Sequence, residues 1–251
     1  MRLTYDCHTH TNVSHGKNTA SEMIRAAFEK GLSGIWITEH GPAHMSIRKH
    51  LYTSRRDAYL RLREEIEAEK PRYPGMDIRF GAEANVIGLD GEIDTAGLQD
   101  VFEFMNVGYH MMAFMKDLPS ELSLQARVIG YKKLGMSFLE ERFSRTLTEV
   151  MLRTLDEFPI NMITHPTRYY PMDMVAVASK CSERGTILEI NSPKKLLGAD
   201  QIRDIIAVND TVLFAVGSDA HRKEDVGEVS DALSIIEESG LAPGRITNII
   251  F

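Results

Sequence analysis

Gly34-Ile35-Trp36-Ile37-Thr38-Glu39-His40 is the stretch whose reading decides the fold. Residues 34–38 form a short, almost continuously apolar run, and Glu39 and His40 close it at once. Such a run fits a strand buried on both faces of a parallel sheet. Six more runs are built in a similar way, at residues 3–7, 77–81, 104–108, 160–164, 186–190 and 212–216. Helical candidates alternate with them at 21–30, 54–69, 120–133, 138–157, 172–184, 200–208 and 230–239, two of these falling between the fourth and fifth runs. Seven β/α repeats predict an α/β chain, either a parallel barrel or a doubly wound sheet.

The composition agrees: of 251 residues 43% are hydrophobic and 26% charged, which excludes disorder, collagen-like repeats and coiled coil. No linker, repeat or low-complexity segment interrupts the alternation, and Pro71-Arg72-Tyr73-Pro74-Gly75 is a turn before the third run. One domain over residues 1–251 is expected. With 29 Lys+Arg against 36 Asp+Glu the net charge is −7, whereas binding a phosphate backbone calls for a basic field. Nucleic acid is therefore not an expected partner. Cys7 and Cys181 build no disulfide framework. The first residues lack the apolar core of a secretory signal, and no run nears the roughly 18–20 apolar residues of a bilayer span. A cytoplasmic protein without membrane contact is expected.

Histidine placement carries the chemistry. Asp6-Cys7-His8-Thr9-His10 closes the first run, and residues two apart on a strand share a face, so His8 and His10 should point the same way. His15 follows in the next loop. His40 ends the second run, Glu83 the third, His110 the fourth and His165 the fifth. Gly217-Ser218-Asp219-Ala220-His221 ends the seventh with two donors two residues apart. A lone histidine near a strand end is more often a satisfied polar residue than a ligand. Seven of the nine histidines at one pole, joined by Glu83 and Asp219, are not explained by packing, because buried imidazoles and carboxylates without partners are costly. That pole is where parallel barrels build active sites. His44 and His50 fall outside the pattern and are expected at the surface or rim.

Nine donors exceed the four ligands zinc usually takes, and with bridging carboxylates they fit two or three ions. Imidazole-rich sets suit zinc or other borderline transition metals, whereas magnesium and calcium prefer oxygen. Three divalent ions would bring about +6 into the pocket. An acidic chain would then offer a positive site to an anionic substrate.

The ordered segments resemble the PHP (polymerase and histidinol phosphatase) family, in its YcdX-type phosphatase branch. They are Asp6-Cys7-His8-Thr9-His10-Thr11, Ile37-Thr38-Glu39-His40-Gly41-Pro42, Gly81-Ala82-Glu83-Ala84-Asn85-Val86, Asp90-Gly91-Glu92-Ile93-Asp94, Gly108-Tyr109-His110, Thr164-His165-Pro166, Leu188-Glu189-Ile190-Asn191-Ser192 and Gly217-Ser218-Asp219-Ala220-His221. The resemblance implies a single-domain distorted (β/α)7 barrel of the PHP type holding three divalent ions, zinc first, with manganese or iron(II) as alternatives. It implies that His8, His10, Glu83 and Asp219 bind the first ion. His110 and His165 would bind the second, with Glu83 bridging, and His15, His40 and His221 the third. Many relatives have Asp where His15 stands. It further implies a histidinol-phosphatase-like phosphatase and allows a homo-oligomer, for which no seam is legible.

Competing chemistries fail on single residues. The Cys-x5-Arg phosphatase loop needs Arg where Val13 and Ile187 stand. Gly16-Lys17 lacks the first glycine of a P-loop, replaced by Thr11, and its hydroxyl, replaced by Asn18. No GxGxxG, HExxH or nucleophile-elbow serine occurs. Metal-activated water is thus the expected nucleophile, a hydroxide bridging two ions and attacking the phosphorus of a small phosphorylated metabolite. Glu83 and Asp219 are the expected catalytic carboxylates, Asp219 also a candidate for the leaving-group proton. Arg168 is the candidate phosphate clamp, with Arg222 and Lys194 as alternatives. Two other classes stay open: an amidohydrolase-like metal hydrolase of C–N or C–O bonds, and a non-catalytic metal-bound scaffold. The extra donors His15, His40 and Glu83 argue against the first, and the intact donor set argues against the second. Specificity is expected in the loops at 43–53, 110–120 and 167–171.

Overall fold

The computed structural model describes residues 1–46, 55–111, 113–126, 140–167, 170–193 and 196–251. Strand β1 (Arg2–Leu3) leads into β2 (Tyr5–Thr9), helix α1 (Ala20–Glu29), β3 (Gly34–His40), α2 (Arg55–Glu69), β4 (Asp77–Asn85) and β5 (Phe104–Gly108). A short helix α3 (Leu118–Ser120) continues as a π-helical turn over Glu121–Ala126. Then come α4 (Glu140–Glu157), β6 (Met162–Ile163), α5 (Met174–Arg184), β7 (Ile187–Asn191), α6 (Ala199–Val208), β8 (Phe214–Gly217), α7 (Ser230–Ser239) and β9 (Ile249–Ile250). No helix among the described residues is long and apolar enough to cross a membrane.

Strands β2 to β8 form one parallel sheet in chain order. Its last strand returns to its first: Thr9 bridges Ala220, His10 N–H donates to Ala220 O (2.8 Å) and Ala220 N–H to His8 O (3.3 Å). The result is a nearly closed (β/α)7 barrel, with helices packed around it.

Local sequence explains the elements. All five residues of β5 are buried, as a strand covered on both faces must be. Thr19 and Glu22 cap α1 reciprocally, which satisfies two of the amides a helix start leaves open. Asp173 accepts from Val175 and Ala176 N–H to start α5, and Gly185 at φ +71° ends it. Buried apolar stripes then seat the helices on the sheet. Leu147, Met151 and Leu155 of α4 and Val177 and Ala178 of α5 join Val107, Ile163 and Leu188 in one core. Each Val, Leu, Ile or Met among them contributes about 1.5–3 kcal/mol on full burial.

Three expectations change in detail. The run at 3–7 is not one strand: Thr4 N–H turns to Asn248 O (2.9 Å), so Arg2–Leu3 pairs antiparallel with Ile249–Ile250 outside the barrel. The run at 212–216 starts at Phe214 because Asn209 Oδ1 accepts from Val212 N–H (2.8 Å) and holds that residue in a turn. The helix at 120–133 begins at Leu118 and loosens to a π turn, and its stretch 127–133 lies outside the described residues.

Below the strand ends, aromatic rings fill part of the interior. Tyr5 stacks on Trp36 (ring centroids 5.0 Å apart), and Trp36 meets Phe104 at 4.9 Å. Gly81 makes that contact possible, since a Cβ there would overlap the Phe104 ring. Trp36 and His40 are an even number of residues apart on β3, so this floor lies on the face that bears His40.

Candidate metal centre

His8 and His10 enter the interior through an irregularity. Cys7 packs with Met162 and Ala215 on the floor, its Sγ 3.9 Å from Met162 Sδ. In a regular strand its neighbour His8 would face the other way. The register of β2 against β3 shifts between Asp6 and Thr9, and such a bulge re-aims the following side chains. His8 and His10 then meet Nε2 to Nε2 at 3.1 Å.

Glu83 is the hub. The in-register pairing of β3 and β4 sets it beside His40, with Oε2 2.9 Å from His40 Nδ1 and 3.4 Å from His10 Nε2. Oε1 lies 2.6 Å from His165 Nε2, and 3.3 Å from both His8 Nε2 and His110 Nε2. One wholly buried carboxylate thus faces five imidazoles. Burial alone would raise its pKa, yet His110, His8, His165 and His40 hold it well below the usual carboxylate range.

The other strand ends complete the cluster. His110 and His165 approach Nε2 to Nε2 at 3.2 Å. Asp219 Oδ1 is 3.3 Å from His10 Nε2 and 3.6 Å from His221 Nδ1. His15 stacks 4.9 Å from His40 and lies 4.1 Å from His221. His165 and Asp219 stand at φ +29° and +49°, left-handed conformations that non-glycine residues hold at a cost and that gather at functional sites. All nine residues expected as ligands are therefore brought together.

Sequence reading assigned no role to three supporting carboxylates, although Glu39, Asp94 and Glu189 all lie in the segments that carry the resemblance. Glu189 Oε1 lies 2.7 Å from His8 Nδ1, and its Oε2 accepts the backbone N–H of His165. Burial works against charge on His8, but Glu189 and Glu83 outweigh it and raise its pKa to about 10. The local hint was a carboxylate set between Leu188 and Ile190 in the run at 186–190. Glu39 accepts Thr11 N–H (2.5 Å) and so fixes the loop that leads to His15; burial raises its pKa to about 7. Asp94 accepts from Asn85 N–H (2.8 Å) and Ala43 N–H (2.8 Å), tying β4 to the loop after His40.

One rim expectation is overturned. His44 is buried, 6% exposed, and stacks on His40 at 4.0 Å, because its loop folds inward over the cluster instead of standing off from it. His50, Arg168 and Lys194 lie outside the described residues.

Residues 6–191 match the PHP domain family. The chain belongs to the PHP domain family. Among PHP relatives, a probable phosphatase of Shewanella sediminis is 30% identical over 99% of this chain and 90% of that protein. The probable phosphatase YcdX of Escherichia coli K12 is 28% identical over 97% of this chain and 89% of its own length. A histidinol phosphate phosphatase of Lactococcus lactis, solved with zinc, L-histidinol and phosphate, superimposes with a TM-score of 0.61 at 15% identity, over 96% of this chain and 95% of that one. At that identity the likeness concerns the fold.

The donor set of this PHP chain fits divalent metal. Both Glu83 oxygens, His40 Nε2, His10 Nδ1 and His110 Nδ1 are buried without a hydrogen bond of ordinary geometry, a costly state in a dry interior. Two nitrogens on one tetrahedral zinc, each bound at 2.0–2.1 Å, sit roughly 3.3 Å apart. The His8–His10 and His110–His165 contacts, 3.1 and 3.2 Å, have that spacing. Among the described residues, donor atoms gather in five overlapping groups: His8-His10-Asp219, His8-Glu83-His165, His40-Glu83-His110, His10-His40-His221 and His15-His40-His44.

Proposed function

We propose that this PHP chain is a metal-dependent phosphatase that hydrolyses a small phosphomonoester at a three-ion centre, zinc first among the ions. The observation that carries the reading is Glu83, whose two oxygens each face a different set of imidazoles. Such a carboxylate can hold two cations side by side. The names of the relatives support phosphatase activity, and a zinc-bearing neighbour of the same fold supports the choice of ion. Bound divalent ions would supply Lewis acidity at phosphoryl oxygens and a water acidic enough to ionise near neutral pH.

The chain's own residues hold and orient. His8, His10 and Asp219 form one donor face, His110 and His165 a second, and Glu83 stands between them. The apolar floor of Trp36 and Phe104 closes the site below, so charge in the site is screened little. Arg168, three residues after His165, is the proposed phosphate clamp, since guanidinium matches phosphate with paired donors. Arg222, directly after His221, and Lys194 are the alternatives. Residues 1–251 act as one PHP domain, a reading supported by the pairing of Arg2–Leu3 with Ile249–Ile250 across the chain ends.

The test is a panel of phosphorylated metabolites with p-nitrophenyl phosphate and p-nitrophenyl acetate, run on protein reloaded with Zn2+ or Mn2+. Phosphate release that chelator abolishes, with no esterase activity, is the expected result. Acetate hydrolysis without phosphatase activity would shift the reading to the amidohydrolase class. Arg168→Met should lower kcat/KM about tenfold, roughly 1.4 kcal/mol, without changing metal content.

A further inference from the structure

Asn106 on β5 is a polar side chain in the barrel interior to which the metal reading gives no task. It is wholly buried, and neither its Nδ2 nor its Oδ1 has a hydrogen-bond partner. The other wholly buried asparagines among the described residues each donate from Nδ2: Asn85 to Asp94 Oδ2, Asn191 to Glu189 Oε2 and Asn248 to Val216 O. An amide sealed off with both ends unpaired is costly, whereas an apolar side chain of similar size avoids that cost.

Strand geometry fixes where this amide lies, because side chains two apart on a strand share a face. Phe104, two residues before it, meets Trp36 in the aromatic floor. At Gly108, two residues after it, a Cβ would come within 2.6 Å of Thr164 Oγ1 and 3.0 Å of His165 Cε1. Asn106 therefore faces the interior, above the floor and below the metal centre, while Met105 and Val107 between these positions join the outer core. In register it lies beside Glu83 on β4 and Met162 on β6. The Met162 thioether faces the Cys7 thiol at 3.9 Å, so Glu83 is the polar neighbour across the ladder. Both Glu83 oxygens are also buried without a hydrogen bond of ordinary geometry. Neighbouring strands about 4.8 Å apart hold such side-chain ends at a spacing that one water can bridge.

We infer that Asn106 is a positioning residue for Glu83 and binds, together with it, one ordered water beneath the metal centre. Asn106 Nδ2 donates to the water, and the water donates to the Glu83 carboxylate. The bridge holds the carboxylate from below in the orientation in which its two oxygens face different imidazoles. The inference rests on the metal reading above and adds to it a support that touches no ion.

The experiment titrates the chelator-stripped full chain with Zn2+ against a chromophoric chelator, in wild type, Asn106→Leu, Asn106→Ala and Asn106→Ser, and again in each with Glu83→Ala. Asn106→Leu and Asn106→Ala should weaken the equivalents that Glu83 holds about tenfold, the usual effect of losing an outer-shell partner. Asn106→Ser differs from the alanine variant by one hydroxyl, which can still bond the water, and should restore most of that loss. With Glu83→Ala the remaining zinc affinity should be the same whichever residue stands at position 106, a coupling that packing alone does not give. If Asn106→Leu fails to fold, the alanine and serine pair decides, since both are smaller than the residue they replace. Wild-type zinc affinity in Asn106→Ala with only a lowered melting temperature, or equal losses in the alanine and serine variants, would overturn the inference and leave the phosphatase reading standing. A wild-type chain that binds no zinc would overturn both.

Discussion

His8 Nδ1 lies 2.7 Å from Glu189 Oε1, while Glu189 Oε2 takes the backbone N–H of His165. A single buried carboxylate on β7 therefore orients a donor from β2 and the backbone of a donor from the end of β6. It draws the Nδ1 proton of His8 toward Glu189 and turns Nε2 to Glu83 and Asp219. Glu189→Gln removes the charge and keeps the size. Zinc affinity should fall by 10–100-fold, as for other carboxylates behind metal-bound histidines. Competition titration reads this directly, and an unchanged affinity would mean that His8 is oriented by its neighbours on β2 alone.

Gly217 is what lets Glu189 reach His8. A Cβ at Gly217 would overlap Glu189 Oε1 and lie 3.0 Å from His8 Cβ. Gly217→Ala should cost about 1–3 kcal/mol, the usual range for overpacking a core, and weaken metal binding as well. Gly244→Ala is the control, since nothing lies within 4 Å of a Cβ there. Thermal unfolding of the stripped proteins checks the first effect; equal melting temperatures for the two variants would contradict it.

Metal content should follow Glu83. Protein purified without chelator is expected to carry more than one equivalent of transition metal, near three. Glu83→Gln should lose at least one equivalent and most phosphatase activity, because a neutral amide cannot offset two cations at close range. Elemental analysis decides it. A wild-type chain saturated by one equivalent contradicts the three-ion centre, and a fully active Glu83 variant contradicts the bridge.

Both thiols should be inert in the native chain. Cys7 and Cys181 are 1% and 0% exposed. Burial raises the pKa of each, and for Cys7 the Glu189 and Asp6 carboxylates add to it, so little reactive thiolate forms. Iodoacetamide at pH 8 should modify neither until denaturant is added, as followed by intact mass. Rapid labelling of the folded protein would show that its core opens readily.

Taken alone, the sequence determined the order and class of the elements and pointed to nearly all the side chains that the fold gathers at the barrel mouth. Buried parallel strands announce themselves as apolar runs, and a polar donor placed at the end of such a run stands out against it. That is why His40, Glu83, His110 and His165 were legible one strand at a time. The tertiary structure alone decided three things. The register shift in β2 set His8 and His10 over the same interior as Cys7, which strand periodicity by itself would not allow. Glu189 became a support for His8 only when β7 came to lie where its carboxylate reaches β2 across the barrel. His44 joined the cluster only because Asp94 and Ala113, 50 and 69 residues further along the chain, fold its loop inward. Local pattern records which face a side chain takes on its own strand; which side chains meet depends on register and closure, which are set by contacts between residues far apart in sequence.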